Sequence, residues 1–165
     1  MNIKSTLLGI AVLAVLAAGA WWARSPSSPA GTAPAAVKPA SGDDDVPDVT
    51  LGAARVDAGG VGITLSLSPN PPVAFAKTRV RVRAESDGAP VLLDGGKVSF
   101  EMTMPMGDHR YSLVRGGDGW QEAEVVLPRC MSGNRRWYAI VEGTVAGQPR
   151  TARFRLDLAP PPSNP

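Results

Sequence analysis

The chain has 165 residues with 18 Gly and 16 Pro, a length that favours one folded domain with some length left for tails. Lys and Arg number 17 against 15 Asp and Glu, a net charge of +2, and no basic cluster marks a nucleic-acid partner. The single cysteine excludes an intramolecular disulfide, and one cysteine with one histidine falls short of the four ligands of a structural zinc site.

Residues 6–23, TLLGIAVLAVLAAGAWWA, form an apolar run flanked by Lys4 and Arg24. This length is at the short end for a transmembrane helix. Ala18-Gly19-Ala20 offers a signal-peptidase pattern, whereas Trp21 and Trp22 suit an interfacial belt on an uncleaved anchor. The expectation is a single-pass inner-membrane anchor over 1–24, with the bulk of the chain facing the periplasm or cell exterior. Residues 25–46 are rich in Pro, Ala and Ser and end in Asp43-Asp44-Asp45, a composition that reads as a spacer. Residues 159–165 read as a short disordered tail by the same reasoning.

Over 47–158 the hydrophobic period is two, which predicts an all-β domain. Val61–Ser68 places Val61, Ile63, Leu65 and Leu67 on one face and stops at Pro69. Thr78–Ala84 alternates Val with Arg79, Arg81 and Arg83, and Asp87-Gly88 supplies a turn. Further strands are predicted over Lys97–Met104, Arg110–Val114, Trp120–Leu127, Arg136–Val145 and Thr151–Leu158. Gly116–Gly119 serves as a hairpin loop, and Ala146-Gly147-Gln148 turns the last two strands. About seven strands over roughly 110 residues predict an Ig-like β-sandwich.

Two short pieces stand apart chemically. Met102-Thr103-Met104-Pro105-Met106-Gly107-Asp108-His109 and Arg129-Cys130-Met131 together hold four of the five methionines, the only histidine and the only cysteine. Thioether and thiol sulfurs are soft ligands that favour Cu(I), and imidazole accepts either copper state. Met104, Met106, His109, Cys130 and Met131 are therefore the candidate metal ligands. Phe100, Met102 and Met104 share a strand face, so Met102 reads as core and Met104 stays open between core and ligand. Trp137 reads as core with Arg135 and Arg136 turned to water, although Arg and Trp also suit an interface. A nucleophilic Cys130–His109 pair lacks an orienting third group and an oxyanion loop, so no enzyme is expected, and no small-molecule substrate is evident.

The order of Ser68-Pro69-Asn70-Pro71, Arg79–Val82, Met102–Gly107, His109-Arg110-Tyr111, Cys130–Gly133 and Arg136-Trp137 resembles the YtkA-like family, related to the FixH-like proteins. The likeness covers about residues 60–158. It implies a small Ig-like sandwich on an N-terminal membrane anchor. It also implies a part in copper supply to a membrane complex such as a haem-copper respiratory oxidase. The alternative is an Ig-like accessory domain without metal that docks a membrane protein complex.

Overall fold

The computed structural model describes residues 45–160, and the expected anchor, most of the spacer and the end of the tail lie outside them. The chain divides into two units, Met1–Ala36 and Val37–Pro165, and every described residue belongs to the second. No helix among the described residues is long and apolar enough to cross a membrane.

The unit is all-β, with ten strands in two antiparallel sheets. β1 (Ala54–Asp57), β2 (Val61–Ser68), β3 (Lys77–Ser86), β8 (Gln121–Val126) and β7 (Val114–Arg115) pair in that order, and β4 (Ala89–Val91) also pairs with β3. The other sheet runs β10 (Gln148–Asp157), β9 (Arg136–Val145), β5 (Asp94–Glu101) and β6 (His109–Ser112). The count exceeds the seven expected because β1, β4 and β7 have two to four residues each, too few to display a period. β5 stops at Glu101, three residues before the expected end at Met104. The stretch expected as one strand over Arg110–Val114 divides at Leu113 into β6 and β7, which lie in different sheets.

Alternation decides what is inside. β2 turns Val61, Ile63, Leu65 and Leu67 inward and β3 turns Val80, Val82 and Ala84 inward. Opposite them lie Val98 and Phe100 of β5, Trp137, Ala139 and Val141 of β9, and Ala152, Phe154 and Leu156 of β10. All the side chains of this core lie between Val49 and Leu158, so the unit carries its own core among the described residues. The outer faces carry charge ladders. Arg81 faces Glu122 across the β3–β8 pair at 3.0 Å, and its guanidinium covers the Trp120 ring at 4.6 Å. Arg153 covers Tyr138 at 4.0 Å, which buries the tyrosine on the outer face of β9.

The N-terminal segment closes against the last strand. Val49 N–H donates to the Arg155 carbonyl at 2.8 Å and Arg155 N–H to that of Pro47 at 2.8 Å. Asp48 holds the Arg155 guanidinium at 2.9 Å. Burial pushes the Asp48 carboxyl up, but hydrogen bonds from Thr50 and Arg155 outweigh it and leave the group below its ordinary value.

All three turns expected from sequence form, with Gly116 N–H donating to the Trp120 carbonyl at 2.8 Å between β7 and β8. Asp87 and Gly88 have φ of 52° and 78°, the left-handed pair of a type I′ turn. The β9–β10 turn uses Ala146 and Gly147 at φ 49° and 75°. Alanine gains nothing from its side chain there, and the left-handed backbone costs it about 1 kcal/mol. Ala146→Asn is therefore expected to raise stability by about 1 kcal/mol and Tm by about 4 °C, measured by thermal unfolding followed by circular dichroism.

Antiparallel register gathers three loops at one end of the sandwich. β2 ends where β3 begins, at residues 69–76; β5 ends where β6 begins, at 102–108; and β8 passes to β9 through 127–135. β10 ends there too, and Ala159 N–H donates to the Pro72 carbonyl at 2.8 Å.

Candidate functional site

Register thus brings the two chemically distinctive pieces to the same end. Thr103 of the β5–β6 loop lines a polar cleft of about 420 Å³ with Gly133, Asn134 and Arg135 of the β8–β9 loop, so the two loops border one cleft. Their candidate ligands occupy different environments.

Met102 follows β5 directly and is buried, as its shared phase with Phe100 predicts. Met104 does not continue that face, because the strand has ended, and its side chain is 51% exposed. Met106 packs in part against the core. Met131 stands fully in solvent, whereas its neighbour Cys130 is only 2% exposed and belongs to the core. The pair thus splits between water and interior.

His109 opens β6 and is half-buried. Its Nε2 lies 3.0 Å from the Met106 carbonyl oxygen. A carbonyl can only accept, so Nε2 carries the proton and Nδ1 keeps a lone pair in the neutral ring. The imidazole stands edge-on to the indole of Trp137, with ring centres 5.4 Å apart at 80°. Trp137 is fully buried, as its inward position on β9 predicts, and its indole N–H has no hydrogen-bond partner.

The Cys130 sulfur lies 3.0 Å from the Ser132 hydroxyl. Hydrogen bonds from the Ser132 side chain, then from the backbone of Ser132 and Asn134, hold the thiol below its ordinary value against the opposing effect of burial. Gly133 N–H closes this turn on the Cys130 carbonyl at 3.1 Å. Ser132→Ala is expected to move the Cys130 thiol back up toward its ordinary value, read by thiolate absorbance during a pH titration.

No group of three or more His, Cys, Asp or Glu side chains gathers among the described residues. The nitrogen and sulfur donors at this end are one imidazole nitrogen, one thiol and thioethers, a soft set, with Asp108 the one carboxylate in the three loops. Ser132 and Trp137 are partners that sequence reasoning left unassigned to the site. The small polar Ser132 two residues after a lone cysteine was the available signal for the first.

No family model matches the chain, and no curated protein matches it. Among solved structures, the crystal structure of a DUF4426 family protein from Pseudomonas aeruginosa is similar in fold. It has a TM-score of 0.51 at 12% sequence identity, over 66% of this chain and 98% of that chain. The likeness at this identity is one of fold alone, that of a small β-rich domain.

Proposed function

We propose that this protein is a membrane-anchored, periplasm-facing copper-handling domain of the YtkA/FixH-like kind, with an Ig-like arrangement of its two sheets. In this reading it binds Cu(I) at the loop end and passes it to a membrane complex such as a respiratory oxidase. The observation that carries the reading is the hydrogen bond from His109 Nε2 to the Met106 carbonyl. Metal-binding histidines commonly donate one ring N–H to a carbonyl or carboxylate, which fixes the tautomer and leaves the other nitrogen for the metal.

The donor set fits a soft monovalent ion. His109 would supply Nδ1, and the thioethers of Met104, Met106 and Met131 would supply sulfur. The exposed Met104 and Met131 reach solvent, so copper can be taken up and released there. Cys130 would join after leaving Ser132, and its lowered pKa eases loss of the thiol proton. Copper, when bound, is cargo, and the protein's own chemistry is capture and release.

Titration of the unit Val37–Pro165 with Cu(I) against a competing chelator, under reducing conditions, is the test. One-to-one binding that weakens by about 10-fold or more in the His109→Ala/Cys130→Ser double variant is expected. Equal affinity of wild type and variant would overturn the reading.

A further inference from the structure

The same end of the sandwich carries a second set of features, of which only Met104 and Met131 are shared with the proposed copper site. Phe75, in the β2–β3 loop, is 69% exposed and has φ of 61°. A left-handed backbone is rare for a bulky residue, and an aromatic ring in water forfeits its burial. The left-handed backbone is held in place by Phe75 N–H, which donates to the Leu127 carbonyl at 2.9 Å. Val73 beside it is also exposed, and so are Met104 and Met131 on the other two loops. Prolines 69, 71 and 72 precede Val73 and Pro105 follows Met104, so little chain entropy remains to be lost on contact.

The charges are asymmetric as well. Asp108 is the only carboxylate in the three loops, against Arg129 and Arg135. Elsewhere on the sandwich most cations have a carboxylate: Arg55 with Glu85, Arg81 with Glu122, Lys97 with Glu142, Arg155 with Asp48. Arg129 and Arg110, the latter one residue into β6, are exposed and have no ion-pair partner among the described residues.

We infer that the loop end docks on an anionic lipid bilayer, with Phe75 and Val73 entering the interface and Arg110 and Arg129 meeting phosphate headgroups. The apolar tips favour lipid over a protein partner. They stand on three separate loops with Asn70, Gly107, Asp108 and Ser132 among them, whereas the centre of a protein interface is a contiguous desolvated patch. A bilayer interface accepts separated apolar projections, and unpaired arginines at its surface are drawn to anionic headgroups. This inference does not require copper: Phe75, Val73, Arg110 and Arg129, which carry it, lie outside the proposed ligand set.

The test is co-sedimentation of the unit Val37–Pro165, free of metal, with phosphatidylcholine vesicles prepared with and without phosphatidylglycerol. Phe75→Asn suits the left-handed backbone and keeps the fold, which an unchanged or raised Tm would verify. It is expected to weaken binding to the anionic vesicles by about 10-fold. Arg110→Gln and Arg129→Gln are each expected to weaken it by about 5-fold and to flatten its salt dependence. No sedimentation with anionic vesicles, or sedimentation untouched by these substitutions, would overturn the inference. A concentration-dependent dimer abolished by Phe75→Asn, without vesicle binding, would overturn it in favour of a second copy of the chain.

Discussion

Trp137→Ala lowers the stability of the unit by about 4 kcal/mol, the largest loss expected from a single core substitution here. Trp137 is the largest side chain that is fully buried, and it sits inward on β9 between β10 and β5, where neighbours cannot close over the space it vacates. Trp137→Phe is expected to cost far less, about 1–2 kcal/mol. The smaller ring leaves only part of the cavity, and it removes an indole N–H that has no partner in the native state. Urea unfolding of both variants measures the difference. Equal losses would mean that the phenyl ring recovers none of the packing that alanine gives up. The alanine variant also removes the wall against which His109 stands, so under the proposed copper function its Cu(I) affinity is expected to fall more than that of the phenylalanine variant.

Gln121→Met is the second large effect, about 3 kcal/mol of lost stability although the volume is conserved. The Gln121 side chain acts as a short piece of peptide backbone inside the protein. Its Oε1 accepts from Leu93 N–H at 3.0 Å and its Nε2 donates to the Leu93 carbonyl at 3.1 Å. Methionine leaves the Leu93 N–H buried without a partner, while the Leu93 carbonyl keeps only the Gly96 N–H at 3.1 Å. Gln121→Glu separates the two bonds: the carboxylate accepts from Leu93 N–H but cannot donate to the carbonyl until it is protonated. The folded state then binds a proton more tightly than the unfolded chain, so the variant gains stability as pH falls and loses it as pH rises through the raised folded value. Urea midpoints across the acidic range measure this. A variant whose stability is flat with pH would show that the Nε2 bond contributes nothing.

Much of the fold was legible because period-two alternation is a direct trace of a sheet with one buried face. Ile63, Leu65, Val80, Val82, Phe154 and Leu156 declare their faces without ambiguity, and all are buried. Gln121 was legible in principle, as a polar residue in phase with Ala123 and Val125, but its partner at Leu93 is set by tertiary contact alone. The short strands β1, β4 and β7 exist because neighbours hold them, and their own sequences carry no period. At the candidate site, sequence carried β5 on through Met104, three residues into the loop, and could not sort the loops' side chains. Cys130 and Met131 are adjacent in the chain, yet one is core and the other is solvent, a difference decided by the tight turn closed by Gly133. Met104 lost its shared face with Met102 because β5 ended early, and no local residue before Pro105 announced that ending.

The clip between Asp48 and Arg155 joins residues 107 positions apart, so it is among the last contacts that synthesis makes available. A chain emerging from its amino end presents Asp48 early, but Asp48 has no partner until β10 has followed. β9 likewise waits, since ten of its residues pair with β10. The pairs β3–β8 and β5–β9 are also non-consecutive, which makes folding slow and leaves edges open in the interval. A chain truncated before β10 would therefore carry an unpaired β9 edge and an unanchored amino end at once, and such a fragment is an aggregation substrate.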